Sequence, residues 1–167
     1  MKNRIKLLIF LLLLLQTAQD QNITKQLSKF DKQQLFKLTY KQIDSVKLDL
    51  TLRYPPNFKK NKTYPCIVFY FGGGWNGGTT EQFKPHAEYL ESRGMITVLA
   101  DYRVKSRHNT TPYESVADAK SAIRFLRQHA EELNINPNKI VASGGSAGGH
   151  LAAVCGNCPT LDEPGKI

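Results

Sequence analysis

The chain has 167 residues, of which 41% are hydrophobic and 22% charged, and a net charge of +9. That length suits one domain or part of one, and that apolar content argues against wholesale disorder. The basic surplus is densest between Asn22 and Lys62, where ten Lys and Arg stand against three Asp. No aromatic interleaving or nucleic-acid module accompanies it, so it reads as a solvated face with no nucleic-acid partner.

Residues 1–18 form a separate unit. Lys2, Arg4 and Lys6 precede nine consecutive apolar residues, Leu7 to Leu15, and Gln16-Thr17-Ala18 offers small residues for cleavage. This is the pattern of a secretory signal peptide, and it predicts a secreted or periplasmic protein. Nine residues rising about 1.5 Å each fall short of a hydrocarbon core of roughly 30 Å, so no stable membrane anchor is expected. Residues 19–34 are polar, rich in Gln and Lys, and read as a linker.

From Leu35 onward the chain reads as one folded domain, 35–167. Residues 35–42 and 46–54 alternate apolar and polar, as half-buried strands do, and pair across Asp44-Ser45 as antiparallel neighbours. Pro55-Pro56 stops the second strand. Tyr64 to Phe71 is apolar throughout, the pattern of a strand buried on both faces. It runs into Gly72-Gly73-Gly74-Trp75-Asn76-Gly77-Gly78, where five glycines in seven residues let the backbone approach a ligand.

Thr79 and Gln82 then have the spacing of a capping box, with Phe83, Ala87 and Leu90 on one helical face and Gly94 at the stop. Met95 to Ala100 is a second buried strand, ending at Asp101-Tyr102-Arg103. Val104 to Thr110 reads as a polar loop. Thr111-Pro112-Tyr113-Glu114 opens a helix with cap, first-turn proline and box glutamate. Val116, Ala119, Ile123, Leu126, Ala130 and Leu133 give that helix a continuous apolar face up to Asn134. Lys139 begins a further strand, and a helix-forming run follows from Leu151. Buried strands alternating with helices predict an α/β fold, a mostly parallel sheet with helices on both faces and antiparallel strands at one edge.

Three cysteines are present. Cys66 reads as a small buried hydrophobe, and Cys155-Gly156-Asn157-Cys158 as a C-x-x-C that a local disulfide would suit in an exported protein. No redox or metal unit surrounds it. The four histidines have no paired metal-ligand spacing, so no metal or other cofactor is expected.

The stretch that carries chemistry is Gly144-Gly145-Ser146-Ala147-Gly148-Gly149-His150. A strand precedes it and a helix follows, the context of a nucleophile elbow. A serine hydroxyl needs a base to remove its proton and donors to hold the oxyanion that forms. The amide of Ala147 is one such donor, and the glycine loop at 72–74 leaves a neighbouring strand end where its amides can face the same point.

With Phe71-Gly72-Gly73-Gly74-Trp75, Asp101-Tyr102-Arg103 and the elbow in this order, residues 35–158 resemble the α/β-hydrolase fold. Within it they look like the hormone-sensitive-lipase-like esterases and the exported acetyl esterases. The resemblance implies Ser146 as nucleophile, Gly73, Gly74 and Ala147 as oxyanion hole, and structural roles for Asp101, Arg103 and Asp118. It implies hydrolysis of carboxylic esters through an acyl-serine, on short acyl groups and, within these, on acetyl esters of polysaccharide. The partner is then a small-molecule or polysaccharide ester.

Two departures stand out. Phe71 replaces the histidine usual in the resembled loop, so the loop must be held from elsewhere. The triad acid and histidine should follow the serine, yet only Asp162, Glu163 and His150 do. His150 shares a helix face with Ser146, but it has no evident carboxylate partner and is not the triad position of the resembled family. His86, His108 and His129 read as surface residues. The expectation is a hydrolase domain missing the C-terminal part of its fold, with acid and histidine beyond Ile167, and inactive in this form. A serine peptidase of the prolyl-oligopeptidase kind and a non-catalytic hydrolase-like binding module are the alternatives.

Overall fold

A computed structural model describes residues 35–157, together with Gln21 and Lys25, which are helical and exposed. The chain divides into two units, 1–32 and 33–167, and the second carries the fold. The predicted signal peptide lies outside the described residues, as do most of the linker, Cys158, Asp162 and Glu163.

β1 (Leu35–Ile43) and β2 (Val46–Arg53) form the expected antiparallel pair, turning at Asp44, whose φ is 50°. In β2 the alternation holds, with Leu48, Leu50 and Leu52 buried between more exposed polar residues. In β1 it breaks. A bulge between Thr39 and Lys41 shifts the phase, and Lys41 turns inward where simple alternation points it to solvent.

β3 (Tyr64–Tyr70) and β4 (Ile96–Ala100) are the doubly buried strands, and β5 (Ile135–Gly144) lies on the far side of β3. The sheet order is β1-β2-β4-β3-β5. β2 is antiparallel to β4, while β4, β3 and β5 run parallel. Among the described residues β5 is an outer strand, and Val141 on it is half exposed.

One face is covered by a 3₁₀ turn (Thr80–Phe83) and α1 (Lys84–Ser92), where Phe83, Ala87 and Leu90 pack on Ile67, Phe69 and Leu99. Side chains alternate along β3, so Tyr70 points to the other face. There its hydroxyl donates to Ala119 O at 2.9 Å, on α3 (Pro112–Gln128), and α4 (Ala147–Asn157) packs alongside. Tyr40 meets Phe125 of α3 edge-on from β1. The loop between β4 and α3 holds α2 (Lys105–His108), a single turn of helix where the sequence predicts irregular chain.

α3 opens with the predicted capping box, Thr111 N–H donating to Glu114 Oε2 at 2.8 Å. All six residues of its predicted apolar face are buried, but the helix ends at Gln128. Ala130 and Leu133 sit in a turn closed by Asn134 at φ 56° and by Ile135 N–H to Ala130 O at 2.8 Å. β5 therefore begins at Ile135 and not at Lys139. Asn134 fixes that start, its Nδ2 donating to Lys60 O and Lys62 O and its carbonyl accepting from Tyr64 N–H. Cys66 is fully buried in β3, and burial pushes its thiol up to about 12, which makes it an inert filler of the core.

Candidate active site

The turn between β5 and α4 is as tight as glycines on both sides allow. A Cβ on Gly148 would lie 2.0 Å from Tyr70 O, and one on Gly144 would lie 2.5 Å from both Tyr70 O and Gly148 O. Neither position admits a side chain, so helix, turn and strand end are in direct backbone contact. Ser146 at the apex has φ +53°, the left-handed region that costs an L-residue roughly 1–2 kcal/mol. The turn is closed by Gly148 N–H to Gly145 O at 2.9 Å and His150 N–H to Ser146 O at 3.0 Å.

The glycine loop after β3 lies against this turn. A Cβ on Gly72 would be 2.8 Å from Gly145 O and 3.4 Å from the Ser146 Cβ. Beyond it the backbone takes conformations closed to most side chains, with φ +135° at Gly73 and +61° at Gly74. Among the described residues the amides of Gly73, Gly74 and Ala147 donate no hydrogen bond. Ala147 is the first residue of α4, so its N–H is one a helix leaves unsatisfied.

The loop is held from three sides. Phe71 is buried, its ring stacked on Tyr102 at 4.1 Å, and its carbonyl accepts from the Tyr102 hydroxyl at 2.5 Å. Burial raises the pKa of that hydroxyl and keeps it a donor. On the second side, α2 ties down the outer half of the loop, with Lys105 N–H to Trp75 O and Ser106 N–H to Asn76 O, each at 2.9 Å. The third is the side chain of Gln82, whose Oε1 accepts from Gly72 N–H at 2.6 Å. The predicted capping box at Thr79 does not form, because Thr79 makes no side-chain cap bond and the glutamine is used on the loop.

The Asp101-Tyr102-Arg103 strand end is built as the resemblance implies. Arg107 binds Asp101 with two hydrogen bonds, at 2.7 and 3.0 Å, and Arg103 binds the buried Asp118. The histidines are elsewhere. His150 is exposed, with its ring edge-on to Trp75 at 5.5 Å. His86 packs on the Phe69 and Phe83 rings. His108 accepts from Val104 N–H through Nδ1 at 3.2 Å, and burial, with Arg107 beside it, lowers its pKa. His129 is not the surface residue that the sequence predicts: its side chain is only 12% exposed and lies against Phe125. Among the described residues none of the four bonds the Ser146 hydroxyl, and no group of three or more His, Cys, Asp or Glu is placed to hold a metal. No described helix is long and apolar enough to cross a membrane.

Sequence reasoning missed α2 and Gln82. α2 shows only as a polar run, and Gln82 stands ten positions beyond the glycine that it holds, with no spacing rule to join them.

Known proteins share this arrangement. The protein-family model described as BD-FAE matches residues 48–163. Carboxylesterase NlhH of Mycobacterium tuberculosis is 35% identical over 103 residues, which is 60% of this chain and 31% of NlhH. An acetylxylan esterase of Xylanibacter ruminicola is 33% identical over 97 residues, 57% of this chain and 19% of that protein. Thermogutta terrifontis esterase 2, solved phosphorylated by paraoxon, superposes with a TM-score of 0.77 at 49% identity, covering 82% of this chain and 53% of its own. Its propionate-bound form gives 0.77 at 51% identity, covering 80% and 49%. The chain thus spans about half the length of the solved esterase and under a third of NlhH.

Proposed function

The chain belongs to the BD-FAE family, and on that premise we propose that it is part of a carboxylic ester hydrolase in which Ser146 is the nucleophile of a serine esterase for short acyl esters. In this reading the Ser146 Oγ bonds to the acyl carbon and its proton passes to a base. The carbonyl oxygen becomes an oxyanion held by the amides of Gly73, Gly74 and Ala147. Collapse of that intermediate expels the alcohol and leaves an acyl-serine, which water then hydrolyses.

The observation that carries the reading is how closely the glycine loop lies on the serine turn, where a Cβ added to Gly72 would fall 3.4 Å from the Ser146 Cβ. In this reading the loop turns the amides of Gly73 and Gly74 toward the serine that the elbow holds at positive φ, and among the described residues neither they nor the Ala147 amide donates a hydrogen bond. Each donor of this kind is worth about 3 kcal/mol of barrier in well-built sites.

Short acyl groups, with acetyl esters of carbohydrate as the leading class, are supported by similarity to the acetylxylan esterase and to an esterase solved with propionate. Export is part of the same reading and rests on the basic and apolar pattern of residues 1–18. N-terminal sequencing of the secreted protein tests it, and a mature chain that still begins at Met1 contradicts it.

The nucleophile is tested with paraoxon and p-nitrophenyl acetate followed by peptide mass spectrometry. A diethylphosphoryl or acetyl group on Ser146, absent in Ser146→Ala, is the expected result. Label on another residue refutes the assignment.

A further inference from the structure

Three consecutive glycines precede Trp75, and none of them has a side chain to anchor the backbone that presents the Gly73 and Gly74 amides. The neighbouring peptide groups are nevertheless bonded one by one. Phe71 O accepts from Tyr102, Gly73 O from Asn76 N–H at 3.0 Å, and Trp75 O and Asn76 O from α2. Between Phe71 and Gly73 the bond is made by one side chain from another element, Gln82 Oε1 to Gly72 N–H at 2.6 Å.

That side chain is itself well placed. Gln82 belongs to the 3₁₀ turn Thr80–Phe83, and the adjacent Phe83 stacks on Phe69 of β3 at 5.3 Å. The Phe83 ring also abuts the elbow, its Cζ lying 3.2 Å from where a Gly145 Cβ would be. One short element thus bonds the glycine loop through Gln82 and packs on the serine turn through Phe83.

We infer that Gln82 is a positioning residue of the oxyanion hole, fixing the Gly72 peptide so that the Gly73 and Gly74 amides face Ser146. It acts through the loop and touches no reacting atom. The inference rests on the esterase reading of Ser146. The amides meet a full negative charge only in the transition state, so their misplacement lowers kcat and leaves KM nearly unchanged.

The test compares Gln82→Met, of similar length but without the acceptor, with Gln82→Glu, which keeps it. Both are made in the full chain. Hydrogen exchange at the Gly72 amide reads the bond directly, and p-nitrophenyl acetate turnover reads its consequence. In Gln82→Met, Gly72 exchange should rise and kcat should fall roughly ten- to a hundredfold, with KM within about twofold. Gln82→Glu should retain the Gly72 protection. The inference is overturned if Gln82→Met leaves exchange or kcat unchanged, if only KM rises, or if Gln82→Glu loses as much protection as Gln82→Met. Equal turnover by the wild type and Ser146→Ala would instead sink the esterase reading, and the exchange comparison alone would then decide whether Gln82 sets the loop.

Discussion

Arg103 grips Asp118 with both arms of its guanidinium, Nε to Oδ2 at 2.7 Å and Nη2 to Oδ1 at 2.8 Å, while its backbone N–H reaches Oδ2 at 3.1 Å. The carboxylate is wholly buried, and Lys41 Nζ approaches it at 3.0 Å from the bulge in β1. One acid thus joins α3, the end of β4 and the edge strand. Tyr102, which stacks on Phe71 and bonds its carbonyl, directly precedes Arg103. The ion cluster is therefore one residue removed from a support of the glycine loop.

Asp118→Asn keeps the shape of this cluster and removes its negative charge, leaving Lys41 and Arg103 around a neutral group. Breaking a buried ion pair from one side costs about 3–5 kcal/mol, far above the 0–1 kcal/mol of a surface pair. Urea unfolding should show a loss of that order. A loss below about 1 kcal/mol would mean that water reaches the cluster.

The glycines of the two motifs should differ sharply in tolerance. Gly148→Ala places a methyl 2.0 Å from Tyr70 O, a backbone atom that cannot swing aside. Gly74→Ala meets nothing within 4 Å and bears only the cost of φ +61°. We expect Gly148→Ala to fail to fold or to lose more than about 3 kcal/mol, and Gly74→Ala to lose about 1 kcal/mol. Thermal melts of the two variants side by side decide it. Equal losses would contradict the tight helix–strand contact.

Most of the fold was legible because its signals are local. Alternation marked β1 and β2, continuous apolar runs marked β3 and β4, and Thr111 with Glu114 marked the start of α3. The elbow and the glycine loop were legible for the same reason, since backbone conformations closed to side chains demand glycine in sequence. What was illegible is what one element does for another. The bulge at Thr39–Lys41 turns a lysine inward to meet Asp118, a partner that the β1 sequence does not reveal. Gln82 has the spacing of a cap, and only the proximity of Gly72 in three dimensions redirects it. α2 is a single turn stabilised by the loop that it binds, so no periodicity announces it.

Glu114 gives a pH dependence with a definite sign. Its hydrogen bond to the Thr111 side chain lowers its pKa from the ordinary 4.5. The folded state therefore holds fewer protons than the unfolded state in that region, and the contribution is present above pH 4.5 and lost as pH falls through the lower folded value. Glu114 is only partly buried, so solvent screening keeps the effect small. Stability measured between pH 5 and pH 3 should fall less steeply in Glu114→Gln than in the wild type. Parallel profiles would show that the box does not couple to protonation.

His150 faces Trp75 and has no bond to the Ser146 hydroxyl. His150→Ala should therefore leave labelling of Ser146 by paraoxon within a few-fold of the wild-type rate, whereas loss of a general base typically costs 10²–10⁴-fold. A drop of that size would make His150 the base and would overturn its exclusion from the site.

Ser146→Gly sets function against stability at one position. At φ +53° an L-residue bears roughly 1–2 kcal/mol that glycine does not. Glycine in turn gives the unfolded chain more freedom, an opposing term of about 0.4–1 kcal/mol. The strain is the larger of the two, so the variant should be more stable than the wild type by up to about 1.6 kcal/mol. The Ser146 side chain makes no hydrogen bond among the described residues that its removal would forfeit. The same change removes the hydroxyl, so labelling by paraoxon at this position should vanish. A melt that rises while labelling disappears is what a serine held in strain for chemistry requires. A variant less stable than the wild type would show instead that the turn depends on the serine for its structure.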